Sequence, residues 1–173
     1  MIKYADEYFV DLFNSGLKDQ FPLLYIEGFS IDSDIRPRFE SPDGIVLVFA
    51  NIYLPNIISF IFDNVDEQYR MDDDRIKILL QRTDLILADL IDYIFRRDVS
   101  WNLRNVVASS LGYSIQDVKI CSSLKELKAK GRRMNQLEYQ LLEWFGFTIP
   151  DNVLSNFKTV ADIRKYLVAR YDC

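Results

Sequence analysis

Charged residues divide this chain of 173 residues into two segments of opposite net charge, and this division constrains its organisation most. Residues 1–99 hold 10 basic and 19 acidic side chains, whereas residues 100–173 hold 11 basic and 7 acidic ones. Such an asymmetry indicates two units with different surfaces. We therefore predict an acidic unit over residues 1–99 and a basic helical unit over residues 100–173.

The first unit is predicted to combine helices with one short β-hairpin. Apolar residues recur at helical spacing over Tyr4–Leu17, where Gly16 can end the helix. The segment Arg38–Phe49 places a Pro-Asp-Gly turn between an alternating stretch and a β-branched run, which is typical of a hairpin. Pro55 stands at a plausible first helical position. The expected class is α+β, mainly helical.

The second unit is predicted to be a bundle of four helices. Apolar residues again recur at helical spacing, and Gly112 and Gly146 are the expected stops of the first two helices. An irregular connector over Tyr113–Lys130 separates those two helices. Residues expected at or near the helix starts are Ser100, Arg132, Pro150 and Thr159.

The chain contains no histidine, which excludes several classes of chemistry. A Ser-His-Asp or Cys-His nucleophile, a histidine base and an imidazole zinc ligand all require that side chain. The cysteines, Cys121 and Cys173, form no disulfide framework and no metal-ligand spacing, so a reducing cytoplasm is expected. We also expect neither a secretion signal nor a membrane span.

Acidic residues gather in the second half of the first unit. Aspartates just ahead of Ile76 and at Thr83-Asp84 suit helix starts, and the calcium-loop pattern with its central glycine is absent, so no metal site is predicted. Exposed carboxylates can instead steer a basic protein. The candidate partner-binding residues are Asp63, Asp66, Glu67, Asp72, Asp73 and Asp74.

Four segments of the second unit resemble the acyl carrier protein family in order and spacing. The segments read VASSLGYSIQDV, SLKEL, LEYQLLEWFGFTIPD and TVADIRKYL. They occupy Val107–Val118, Ser123–Leu127, Leu137–Asp151 and Thr159–Leu167. The resemblance implies a four-helix acyl carrier-like bundle in the last part of the chain, and it leaves residues 1–99 unexplained.

The resemblance also locates a residue that this chain lacks. In that family a phosphopantetheine arm is attached to the serine of an Asp-Ser-Leu word at the start of the second helix. Here the word falls on Lys130-Gly131-Arg132, so Gly131 occupies the serine position. No hydroxyl or thiol side chain occurs from Leu124 to Gln136. We therefore expect a degenerate unit without the arm and without any other cofactor.

A basic cluster surrounds this position, where the family usually presents acidic residues to its partner enzymes. This reversal of sign argues against the usual partners. Nucleic acid is not the expected partner, because the protein is acidic overall and the cluster contains no interleaved aromatic residue. The cluster is a candidate docking surface or a solvated face. Its members are Lys125, Lys128, Lys130, Arg132 and Arg133.

The primary functional expectation is a non-enzymatic, cytoplasmic protein that binds another protein. One form of it is an immunity protein that inhibits a basic toxin, such as a nuclease, through charge and shape alone. The alternative is a divergent acyl carrier or accessory protein of fatty-acid, polyketide or lipopeptide synthesis, with its arm on Ser122 or Ser123. A third possibility is a metal-dependent enzyme that uses paired carboxylates.

Overall fold

A computed structural model of the chain describes residues 6–22, 28–35, 39–40, 46–47, 50–82, 84–95 and 97–171. The contacts divide the chain into two compact units, an N-terminal unit of residues 2–96 and a C-terminal unit of residues 97–173. The helices of the N-terminal unit are α1 (Asp6–Gln20), α2 (Ala50–Asp63), α3 (Asp73–Leu80) and α4 (Leu87–Ile94). Those of the C-terminal unit are α5 (Val99–Leu111), α6 (Arg132–Phe145), α7 (Asp151–Leu154) and α8 (Val160–Tyr171).

The predicted α+β class is wrong, because the chain is mostly helical. Among the described residues, the one pair of strands is β1 (Phe39–Glu40) against antiparallel β2 (Val46–Leu47), with Phe39 opposite Leu47, and two isolated bridges join Asp34 to Ile86 and Ser123 to Thr159. Strands in globular proteins usually span about 3–10 residues, so this contact forms no sheet layer. The predicted Pro-Asp-Gly turn lies outside the described residues, and the two short strands do not support the predicted α+β class.

The N-terminal unit is built around a helical core. Phe9, Phe13 and Leu17 of α1 are fully buried, as the helical spacing predicts. The predicted stop at Gly16 is wrong, since α1 continues to Gln20. Gly16 is buried because α1 passes close to α2: a Cβ on it would lie 2.8 Å from Cδ1 of Phe60. The glycine therefore permits a close helix contact.

The start of α2 also differs from the prediction. Pro55 lies inside the helix, which already begins at Ala50. The apolar run before the proline therefore leads into the helix, although a proline removes one backbone N–H donor. Leu54, Ile57, Ile58 and Ile61 are fully buried.

The aspartate predicted to cap α3 does so. Asp72 is the N-cap residue, and its Oδ1 accepts a hydrogen bond of 2.8 Å from the backbone N–H of Arg75. The predicted second start at Thr83-Asp84 is too early, since α4 begins at Leu87. There Oδ2 of the fully buried Asp89 accepts a 2.9 Å hydrogen bond from the backbone N–H of Ile86. Both carboxylates satisfy donors that a helix start leaves unpaired.

The C-terminal unit follows the predicted order of helices. Gly112 and Gly146 end α5 and α6 in the left-handed conformation, each at φ 74°. The connector between these helices contains a short 3₁₀ turn, Ile115–Asp117, and a β-bridge from Ser123 to Thr159. The core contains apolar residues from α5, α6 and α8, namely Leu103, Val106, Val107, Leu111, Leu137, Leu141, Val160, Ile163 and Leu167.

Two details of this unit differ from the predictions. Ser100 lies within the first turn of α5 and is fully buried, while Asp98 is the N-cap residue. The helical pattern of apolar residues also predicts Trp144 in the core of this unit, but its side chain is 59% exposed near the end of α6. The predicted cap at Thr159 is present, since its hydroxyl accepts a 3.4 Å hydrogen bond from the N–H of Asp162.

Candidate functional site

The segment before α6 is a tightly wound loop. The N–H of Leu127 donates to the carbonyl of Ser123 at 3.0 Å, and that of Ala129 donates to the carbonyl of Leu124 at 2.9 Å. Leu124, Leu127 and Ala129 are buried, which leaves Lys125 and Lys128 between them exposed. The alternation of apolar and basic residues thus turns the lysines towards solvent.

Gly131 is the N-cap residue of α6 and has a backbone conformation that suits glycine. Its φ is 57° and its ψ is −132°, and no atom would lie within 4 Å of a Cβ placed there. Side chains with a Cβ rarely adopt this conformation. The helix therefore begins directly after the position where the resemblance places the serine of the family.

The basic cluster separates into two parts with different environments. Lys125, Lys128, Lys130 and Arg132 are exposed. Arg133 is half-buried, and its Nη2 donates to the carbonyls of Leu111 and, at 3.4 Å, Leu127. Four of the cluster's members are thus available to a ligand, whereas Arg133 connects the start of α6 to the end of α5 and to the loop.

A surface pocket of about 700 Å³ adjoins the exposed part of the cluster. Lysines 125, 128 and 130 line it from the loop, and Lys158 lines it from the segment after α7. Backbone pairing joins the two walls: the N–H of Leu124 donates to the carbonyl of Lys158 at 2.9 Å. Apolar lining comes from Leu124, Ala129, Met134, Leu154 and Phe157, and the hydroxyls of Ser123 and Ser155 complete it. We call this site the lysine pocket.

The two serines considered as substitute attachment sites lie at the start of the loop. Oγ of Ser122 accepts a 2.8 Å hydrogen bond from the N–H of Lys119. Oγ of Ser123 accepts a 3.4 Å hydrogen bond from the N–H of Glu126. Both hydroxyls thus support local turns, and Ser123 also lines the lysine pocket.

An exposed apolar face on α6 was not singled out as a site from the sequence. Tyr139 is 57% exposed and Leu142 is 39% exposed. Their spacing of three residues on one helix places them side by side. A hydrogen bond to Glu143 and its negative charge raise the pKa of Tyr139. These two residues form what we call the α6 face.

Arg104 is a further residue that the apolar pattern did not reveal. Its side chain is fully buried in the C-terminal unit. Its Nε donates to the carbonyl of Val118 at 2.8 Å, and its Nη2 donates to that of Ile115 at 3.1 Å. The available signal was an arginine three residues before Val107 on the buried stripe of α5. The contacts give it a structural role in holding the connector.

The six acidic candidates of the N-terminal unit are all exposed. They lie between the end of α2 and the first turn of α3, where Asp72 caps the helix and Asp74 forms a 3.8 Å ion pair with Lys77. Their role in binding a partner stays a prediction.

No group of three or more cysteine and carboxylate side chains within the described ranges could hold a metal ion. Cys121 is exposed. None of the helices in the described part of the chain has the length and apolar character needed to cross a membrane.

Comparison with known proteins supports the resemblance found in the sequence. The acyl carrier protein of Chlamydia muridarum is 33% identical over 70 residues, which cover 40% of this chain and 91% of that protein. The chain belongs to the acyl carrier protein family. The acyl carrier proteins of two Chlamydia trachomatis strains, serovars D and A, are each 31% identical over 70 residues, which again cover 40% of this chain and 91% of each of those proteins. No protein-family model and no solved structure matches the chain.

The family match and the order of the helices relate the C-terminal unit to the helices of an acyl carrier protein. Its α6 stands where the acyl carrier resemblance expects the second helix, and the lysine pocket, Gly131 and the α6 face all lie on or beside that helix. The match covers 40% of the chain, so the family relationship is shown for less than half of its length.

Proposed function

We propose that this chain is a divergent acyl carrier-like accessory protein, which docks a protein partner through α6 and carries no phosphopantetheine arm at that helix. The observation that carries the proposal is Gly131 at the N-cap of α6. A glycine has no hydroxyl to accept the arm. The role is therefore one of binding, without chemistry by the chain itself.

The absence of a substitute nucleophile supports the same role. No serine, threonine or cysteine stands between Leu124 and Gln136, so a shift in alignment restores no attachment residue. Ser122 and Ser123 precede this stretch and engage backbone donors of their own turns. An arm on either serine would start from the loop and not from the start of the helix.

The α6 face supports docking to a protein. Large aromatic side chains contribute strongly to protein interfaces when a partner removes them from water. Tyr139 and Leu142 present an aromatic and an aliphatic side chain on one side of α6, while Leu137 and Leu141 hold its other side in the core. The face therefore offers apolar contact area that the fold of its own unit does not use.

Charge defines the kind of partner. Arg132 lies exposed at the start of the same helix, beside the lysines of the loop. A partner with an apolar patch and acidic groups at its edge complements this surface, because complementary charges guide encounter and exclude partners of the same sign. We therefore propose a partner among the proteins of fatty-acid, polyketide or lipopeptide synthesis, which the family relationship favours.

The family relationship gives no support to the predicted immunity protein. It depended on the six acidic residues of the N-terminal unit and on the absence of a catalytic set. Neither the comparisons nor the described contacts point to a toxin. The family relationship instead favours the accessory role over inhibition.

Affinity purification from the native host tests the docking role. The tagged full chain is compared with the variant Tyr139→Ser/Leu142→Ser and with Ile78→Ser, which changes a side chain 53% exposed on α3 of the N-terminal unit. We expect the α6 variant to lose its partner by about tenfold or more, as interface anchors do, while Ile78→Ser retains it. Retention by the α6 variant, or recovery of a toxin, would contradict the proposal.

A further inference from the structure

The lysine pocket is lined by four lysines and by no residue that carries a carboxylate. Lys125, Lys128, Lys130 and Lys158 lie around one opening, and the remaining polar lining consists of two serines. Clustered positive charge in a concavity raises the local concentration of anions. Binding an anion in this way requires no group that is covalently attached to the protein.

Three of these lysines are not used by the fold. Lys125, Lys128 and Lys130 are exposed, and they form no ion pair with a carboxylate in the described part of the chain. Lys158 differs, because its charge helps to lower the pKa of Asp162 at the start of α8. The loop therefore supplies charges whose positions are set by backbone hydrogen bonds and buried leucines but whose ammonium groups remain available.

The floor of the pocket has the opposite character. Leu124, Met134, Leu154 and Phe157 line it with apolar atoms. The volume of about 700 Å³ lies within the range of about 300–1,000 Å³ that small-molecule sites have. A small inorganic anion would leave this apolar surface in contact with water, whereas a ligand with a hydrocarbon part would cover it.

We propose that the lysine pocket binds a free amphiphilic phosphate, a phosphate monoester on an apolar chain, without covalent attachment. The phosphate lies among the lysines, and the chain lies against Met134, Leu154 and Phe157. A phosphate carries up to two negative charges near pH 7 and three acceptor oxygens, so it matches several lysines better than a carboxylate does. The inference goes beyond the docking role, since it gives the loop lysines a small-molecule ligand and does not use the α6 face.

Calorimetric titration of the full chain with octyl phosphate, below the concentration at which it forms micelles, tests the site. We expect one molecule bound per chain. Inorganic phosphate, octan-1-ol and octanoate each lack one part of the recognised chemistry, so they should bind at least about tenfold more weakly. Equal binding of octanoate, equal binding of inorganic phosphate, or no saturable binding of octyl phosphate would overturn the proposal.

Matched variants separate the pocket from general charge attraction. Lys125→Gln/Lys130→Gln should weaken octyl phosphate binding by about tenfold or more, because charge-assisted hydrogen bonds are lost. The control, Lys119→Gln/Lys165→Gln, removes the same charge from the same unit outside the pocket and should leave the affinity within about twofold, as distant surface charges are screened by salt. Equal weakening in both double variants would overturn the site.

Two further arms identify the chain contact and the source of the ligand. Met134→Gln should weaken octyl phosphate but not inorganic phosphate, and equal weakening of both would contradict the placement of the chain. Flotation with phosphatidylcholine vesicles containing phosphatidic acid then distinguishes a membrane headgroup from a soluble monoester. If the wild type binds these vesicles and Lys125→Gln/Lys130→Gln does not, the ligand is the headgroup. The variant Tyr139→Ser/Leu142→Ser should retain octyl phosphate, so failure of partner docking leaves this test intact.

Discussion

Nε of Arg164 on α8 donates a hydrogen bond of 2.8 Å to Oγ of Ser100 on α5, across 64 residues of sequence. Both side chains are buried in the C-terminal unit. A buried polar group is costly to leave without a partner, so this bond fixes how the first and last helices of the unit meet. It explains why a serine first interpreted as a cap lies inside the helix.

Replacing Ser100 with alanine should destabilise the C-terminal unit. Removing the hydroxyl leaves a buried arginine with fewer acceptors, which should lower the free energy of unfolding by about 1–3 kcal/mol. Urea denaturation followed by circular dichroism measures the change. Ser109→Ala on the exposed side of the same helix is the control and should change the value by less than about 0.5 kcal/mol. Equal effects would contradict the structural role.

Gly16→Ala should destabilise the N-terminal unit. The new Cβ would lie 2.8 Å from Cδ1 and 3.2 Å from Cγ of Phe60, so α1 and α2 must separate. Overpacking costs about 1–3 kcal/mol. It outweighs the gain of up to about 1 kcal/mol from alanine in a helix. Ser15→Ala, at the exposed neighbouring position, should not destabilise the protein, and Phe60→Leu should reduce the penalty of Gly16→Ala.

Asp162 should make the stability of α8 dependent on pH. Its carboxylate accepts hydrogen bonds from the N–H groups of Lys158 and Thr159, which lower its pKa in the folded protein. An aspartate has a pKa of about 3.9 when unfolded, so its contribution is fully present above that pH and is lost as the pH falls through the lower folded pKa.

The variant Asp162→Asn should therefore be less stable than the wild type at pH 7, by about 1 kcal/mol as for a lost helix cap. The difference should begin to shrink below about pH 4, where the unfolded chain takes up the proton, and should be lost as the pH falls through the lower pKa of the folded carboxylate. Thermal unfolding between pH 2.5 and pH 7 measures it. Asp117→Asn, an exposed aspartate of the 3₁₀ turn, is the control. A difference that persisted unchanged to pH 2.5 would contradict the assigned role of the charge.

Gly131→Ala should destabilise the start of α6. Space is not limiting, since no atom lies within 4 Å of the added Cβ, so the cost is backbone strain at φ 57° and ψ −132°. Such conformations cost non-glycine residues about 1–3 kcal/mol. In denaturant unfolding, Gly131→Ala should have a lower free energy of unfolding than the control Arg132→Ala, which changes an exposed helical residue. The same strain would affect a serine at this position.

Local patterns predicted the C-terminal unit well for a physical reason. The two glycine stops, the irregular connector and the cap at Thr159 each depend on a few neighbouring residues. The position of Gly131 before α6 follows from the family resemblance together with that pattern. Long-range contacts were harder to foresee, since Ser100 is defined by Arg164 and the buried Arg104 by carbonyls of the connector.

The N-terminal unit was predicted less well because tertiary packing overrides local signals there. Gly16 resembles a helix stop in sequence, but close contact with Phe60 explains it. Pro55 resembles a first helical residue, but the helix begins at Ala50.

The lysine pocket of the C-terminal unit could not be foreseen as a cavity, since it joins the loop before α6 to the segment after α7.

Intact-mass measurement tests the central claim that this acyl carrier-like unit works without an arm. The full chain is incubated with coenzyme A and a phosphopantetheinyl transferase, beside an ordinary acyl carrier protein as a positive control. We predict that the control gains the mass of phosphopantetheine while this chain, with Gly131 at the helix start, gains none. A stoichiometric gain that disappears in Ser122→Ala or Ser123→Ala would contradict the account.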